Sequence, residues 1–145
     1  MIPFFAFAAP GIDLASIDPM QVVTISAPDG QSWTQGAYEV WHLRGGCRIA
    51  QGGAEAKATE MLLWIERQDA QSQTPDKVIA YLEGGAEVHM PRAVLNGQAA
   101  APRDTLRDRS WVGRFYTFEP IKLEVGQVAP ANTAKSDIYR RAMLA

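Results

Sequence analysis

Two stretches, WHLRGGCRIAQ at 41–51 and AYLEGGAEVHM at 80–90, carry nearly the same pattern 39 positions apart. Leu43-Arg44-Gly45-Gly46-Cys47-Arg48-Ile49 returns as Leu82-Glu83-Gly84-Gly85-Ala86-Glu87-Val88, with both charges reversed in sign. Each copy alternates strictly. Trp41, Leu43, Gly45, Cys47 and Ile49 share one parity, and His42, Arg44, Gly46 and Arg48 take the other. In the second copy Ala80, Leu82, Gly84, Ala86 and Val88 oppose Tyr81, Glu83, Gly85 and Glu87. A period of two is the signature of a strand with one buried face. The glycine pairs open no helix with Lys-Ser/Thr and form no GxGxxG, so they are not phosphate loops. Inside a strand such a pair marks a bulge, a bend or a close backbone approach. Recurrence at the same phase predicts a repeated bend in a repeated all-β architecture.

The flanking segments agree in part. Val22–Ser26 is β-branched and reads as strand, followed by Ala27-Pro28-Asp29-Gly30, which has turn chemistry. Trp33 to Ile49 reads as one strand, broken by Gln51-Gly52-Gly53. Segment 54–67, AEAKATEMLLWIER, is open between helix and strand. Its composition favours helix, whereas Ala54, Ala56 and Ala58 alternate out of phase with Met61, Leu63 and Ile65. As a strand it needs a β-bulge near Thr59-Glu60. Gln68 to Lys77 reads as a polar loop, and Pro91 to Ser110 as an irregular stretch with an Asn96-Gly97 turn signal. Trp111–Phe118 and Ile121–Val125 read as strands. The tail has helical character, starting at Asn132 or Thr133. The expected organisation is a β domain over 17–130 and a tail over 131–145 with a short C-terminal helix. Residues 1–16 have two readings: the remnant of a secretory signal, from the apolar run Ile2–Ala9 with Ala6-Phe7-Ala8, or an N-terminal strand.

Totals narrow the function. With 145 residues, 47% apolar and 21% charged, the chain suits one globular core. A net charge of −2 supplies no general attraction to nucleic acid. Cys47 is the lone cysteine, which excludes an internal disulfide and a multi-cysteine zinc site. No transmembrane segment is expected, since the N-terminal apolar run is too short to span a bilayer.

No catalytic constellation, metal site or cofactor site emerges. Cys47 and His42 have opposite parity, so a strand separates nucleophile from base, and Cys47 reads as a small buried hydrophobe. Glu83 and Glu87 share a face but stand roughly 13 Å apart, beyond a glycosidase carboxylate pair. Arg103, Arg107, Arg109 and Arg114 lie among Asp104 and Asp108 and read as a solvated loop, with an anionic-ligand patch as the alternative.

Leu43, Gly45, Cys47, Ile49, Gln51, Gly52, Ala58, Met61 and Leu63, then Leu82, Gly84, Ala86 and Val88, resemble the repeat of the OstA-like domains of the lipopolysaccharide-transport family. The likeness covers about residues 38–90; no Gln-Gly turn follows the second copy, and Pro91 intervenes. The resemblance implies an OstA-like β-jellyroll, a β-taco of repeated antiparallel strands in the periplasm or cell envelope. It implies a non-enzymatic role in transport or assembly of lipopolysaccharide or another amphipathic glycolipid, with edge-to-edge association with other domains of this type. The implied groove is lined by Trp41, Leu43, Cys47, Ile49, Met61, Leu63, Leu82, Ala86 and Val88. It also tilts 54–67 toward strand. If the two copies pair in one sheet, Arg44 faces Glu83 and Arg48 faces Glu87, which would account for the charge reversal. The alternative is a β-sheet module with a dry core that binds protein or carbohydrate on its surface.

Overall fold

The computed structural model describes residues 11–13, 18–69, 71–90, 104–130 and 137–144. The described residues are all-β apart from one short helix: β1 (Gly11–Asp13), β2 (Val23–Gln35), β3 (Tyr38–Gln51), β4 (Ala54–Glu66), β5 (Asp76–Met90), β6 (Asp104–Thr117), β7 (Ile121–Pro130) and α1 (Asp137–Leu144). The strands form one open sheet in the order β1-β6-β5-β4-β3-β2-β7. Neighbours from β2 to β6 are antiparallel, and the two edge strands are parallel to theirs.

A crease crosses the sheet between two rows of paired residues. One row is Ser26, Arg48, Lys57, Glu87 and Arg107, and the other is Asp29, Arg44, Glu60, Glu83 and Ser110. Between these rows β3 and β5 insert three residues, whereas β2, β4 and β6 insert two. The glycine pairs sit in the longer insertions, with φ of 90° and 96° at Gly45 and Gly46, and 87° and 73° at Gly84 and Gly85. Those values lie where side-chain-bearing residues are strained. Three intervening residues preserve the inward parity from Leu43 to Cys47 and from Leu82 to Ala86. Two intervening residues invert it, so β4 turns Ala54, Ala56 and Ala58 inward, then Met61, Leu63 and Ile65. The phase break in 54–67 is this bulge, and the segment is strand.

The sheet is curled. Only residues 118–120 join β6 to β7, although five strand spacings separate them in the sheet order. Flat, those spacings alone amount to about 24 Å, against at most ~14 Å of reach from Thr117 to Ile121. The sheet therefore rolls until β6 and the β7 edge meet at one corner. Polar groups pin that corner. The Gln51 amide, 1% exposed at the end of β3, donates to the carbonyls of Gln21 (3.0 Å) and Tyr116 (2.8 Å). Thr117, fully buried, donates its hydroxyl to Gln21 O at 2.8 Å, and Phe118 N–H donates to Pro19 O at 2.8 Å. Rolled this way, one sheet buries its inner face against itself, and Ile25, Leu43, Ile49, Met61, Leu63, Leu82 and Phe115 form one core.

Several expectations change. Ala27-Pro28-Asp29-Gly30 is not a turn but the creased part of β2, where a bulge tolerates a proline. Trp33–Ile49 is not one strand: the chain reverses at Gly36-Ala37, with Gly36 at φ 62° and Gln35 paired to Tyr38. Residues 104–110 belong to β6 rather than to an irregular stretch, so Arg107, Arg109 and Arg114 stand on a strand. The two repeat copies are not adjacent, because β4 lies between them. Arg44 therefore meets Glu60 in register, and Arg48 meets Lys57. Residues 11–13 pair with β6; Ala6-Phe7-Ala8, Asn96-Gly97, Arg103 and the predicted helix start at 132–133 lie outside the described residues.

Candidate functional site

The nine residues named for an apolar groove come together on the inner face. Leu43, Met61, Leu63, Leu82 and Ile49 are fully buried, Cys47, Ala86 and Val88 nearly so, and Trp41 is partly buried against them. Pairing sets them in rows, the central one running Gly30, Leu43, Met61, Leu82 and Trp111 across five strands. Trp111 was absent from the predicted set, although its parity with Gly113 and Phe115 on β6 carries the signal. Its ring fills the space left by Gly113, where an added Cβ would lie 2.0 Å from the ring, and it meets Phe115 edge-on at 6.3 Å. Trp111 Nε1 is buried without a hydrogen-bond partner among the described residues. An unsatisfied buried donor costs roughly 1–3 kcal/mol, so this atom marks a polar need in an otherwise apolar interior.

Cys47 is buried, 2% exposed. Its thiol points into the core and donates to Thr59 O at 3.6 Å, and burial, aided by Glu60, pushes its pKa up to about 12. The thiolate is the reactive form. Iodoacetamide at pH 8 is therefore expected to leave Cys47 unmodified in the folded chain over an hour and to label it fully in 6 M guanidinium. Rapid native labelling, read by mass, contradicts this burial.

Outside, α1 covers an aromatic strip on the face opposite the core. Ile138 is 2% exposed against Val40, Leu62 and Tyr81, and Tyr139 packs near Trp33 and Trp64 at 6.4 and 6.5 Å. Tyr139 OH accepts from Gln35 at 2.7 Å. At the strip's border Arg141 clasps Glu83 through two bonds of 2.5 and 2.6 Å, Tyr81 OH donates to the same carboxylate at 2.8 Å, and His42 pairs with Glu60 at 2.7 Å. Glu83, which parity sets on the face away from the core, thus holds a helix.

The Arg141 guanidinium holds the Glu83 carboxyl below its ordinary value, with Tyr81 adding to the effect. A carboxyl depressed in the folded state stabilises above its unfolded pKa, and that stabilisation is lost as pH falls through the folded one. Below about pH 4.5 the α1 contact is expected to weaken, read as a change in Trp33 and Trp64 emission. Arg141→Gln should remove this acid-limb dependence. An identical titration in the variant counts against the clasp.

At the crease a cleft of about 520 Å³ is lined by the charged residues Arg48, Lys57, Glu87 and Arg107, by Gly46 and Gly85, and by the core residues Cys47, Ala58 and Ala86. Arg48 pairs with Glu55, Arg107 donates to Glu87 at 2.8 Å, and His89 stands 3.3 Å from Glu87. Those two partners hold the Glu87 carboxyl below its ordinary value. No group of three or more His, Cys, Asp or Glu among the described residues is placed to hold a metal. No helix among them is long and apolar enough to cross a membrane. No family model, curated protein or solved structure matches the chain.

Proposed function

We propose that the chain is a non-enzymatic β domain of the OstA-like, β-jellyroll type. It works in a bacterial envelope, in the periplasm, handling lipopolysaccharide or another amphipathic glycolipid, or scaffolding a bridge that does. The observation that carries this reading is the rolled sheet's apolar interior with one unpartnered donor, Trp111 Nε1, on its central row. An acyl chain satisfies the apolar walls, and the ester or amide carbonyl at its head satisfies the indole N–H. Strand edges suit bridging. The outward edge of β7 pairs with no described strand, and Lys122, Glu124, Gln127 and Val128 along it are exposed. An unpaired edge is a template for another strand.

A second reading has its own support. Leu43, Met61, Leu63 and Leu82 have no exposed surface, as in the dry core of a surface-binding module for protein or carbohydrate. Native mass spectrometry on protein from a Gram-negative envelope separates the two. The first expects co-purified lipid, lost together with a shift in indole N–H resonance when the chain is delipidated. Protein that is lipid-free on isolation and takes up no added glycolipid leaves only the second.

A further inference from the structure

We propose that the crease cleft is a binding site for a phosphate group, whatever the interior holds. Arg48 and Lys57 stand directly opposite each other on β3 and β4, with Glu87 in register with Lys57 on its other side; like charges so placed repel, and a bound anion between them would relieve the repulsion. Arg48 has Glu55 as partner, while Lys57 has no hydrogen-bond or ion-pair partner among the described residues. The floor beside this pair is bare. A Cβ at Gly46 or Gly85 would have nothing within 4 Å, so the glycines leave room for a ligand to approach the backbone. Gly45, Gly46, Gly84 and Gly85 are all skipped by the strand register, which turns their peptide groups away from regular pairing.

The donors suit a tetrahedral oxyanion better than a carboxylate. Arg48 and Arg107 commit their Nε–H groups to Glu55 and Glu87. A guanidinium has five N–H donors in a planar fork, so the terminal ones stay available. Together with the Lys57 ammonium they would offer a phosphate donors from β3, β4 and β6, and a phosphate has oxygens enough for all three, whereas a carboxylate offers two in one plane. Two carboxylates also line the cleft, and both are engaged: Glu87 by Arg107 and His89, and Asp108 by the Arg109 N–H at 2.7 Å. The cations outnumber them by one.

The test is a titration of the full chain with inorganic phosphate at pH 7 and low salt, followed by amide NMR. Saturable shifts confined to Gly45, Gly46, Lys57, Gly84 and Gly85 are expected. Lys57→Gln, on an exposed side chain, should weaken binding roughly tenfold, the value of one charge-assisted hydrogen bond. Glu87→Gln should tighten it, a change of opposite sign that general damage to the fold cannot produce. Absent shifts, scattered shifts, or equal affinities in both variants overturn the site. A second arm uses phosphatidylcholine vesicles with and without phosphatidic acid. Retention that needs phosphatidic acid and Lys57 assigns the phosphate to a lipid headgroup, and phosphate binding without retention assigns it to a soluble ester.

Discussion

Gly84→Ala is expected to cost about 3 kcal/mol, while Gly85→Ala, one residue on, costs about 1 kcal/mol. Both residues have positive φ, 87° and 73°, so both substitutions place a Cβ where backbone geometry resists it. They differ in what the Cβ meets. At Gly84 it would lie 2.8 Å from Thr59 Cβ and 3.0 Å from the Thr59 hydroxyl, which already donates to Gly84 O at 2.9 Å. Thr59 is the β4 residue facing the glycine pair across the crease, and the atom met first is its Cβ, which moves only with the backbone. At Gly85 the added methyl enters open space. Chemical denaturation with matched m-values measures the difference. Equal costs would mean that backbone strain alone sets the glycine requirement and that the crease is not tightly packed. The same logic applies to Gly45, whose Cβ would stand 2.6 Å from Pro28 Cγ, and not to Gly46.

The crease also shows why some of the fold was readable and some was not. Inward sets on β3 and β5 could be read because three inserted residues leave their alternation unbroken. On β4 the phase break at Thr59-Glu60 was equally visible, but local composition pulled toward helix. Only the pairing of Met61 with Leu43 and Leu82 on either side makes it strand. That is a nonlocal fact. Ala27-Pro28-Asp29-Gly30 has every local mark of a turn, yet the bulge that β2 needs opposite Gly45-Gly46 uses the same residues. The reversal at Gly36-Ala37 was hidden because Trp33, Tyr38, Val40 and Trp41 make a continuous β-rich run around it.

Partners of individual charges were the least legible. The sign reversal between Arg44-Arg48 and Glu83-Glu87 suggested that the copies pair, but an intervening strand gives each residue another neighbour. Glu83 faces α1, Glu87 faces Arg107, and Arg48 reaches Glu55. Period-two patterning says which face a residue takes and is silent on which strand comes next. Gln51 illustrates the same limit. It was read as part of a turn, whereas its side-chain amide crosses the roll of the sheet to β6.

Phe115→Ala should be among the most damaging single truncations, at about 3–5 kcal/mol. For a chain of this length that lowers the melting temperature by roughly 10 °C or more. Phe115 is 1% exposed, pairs in register with Val78, and sets its ring edge-on against Trp111. The strands that face Phe115 across the roll are tied into the same sheet, so they cannot close on the space without unrolling it, and the hole stays open. Leu106→Ala, on the same strand but 43% exposed, should change stability by less than about 0.5 kcal/mol. The hole also bears on what the interior is for. It lies beside Trp111, so an acyl chain entering it gains both the vacated apolar volume and the indole donor. A medium-chain fatty acid amide is then expected to raise the melting temperature of Phe115→Ala more than that of the wild type, and Trp111→Phe in that background should reduce the gain. A cavity that binds apolar ligands with no dependence on Trp111 would assign the interior to packing alone and leave the unpaired indole without a ligand to explain it.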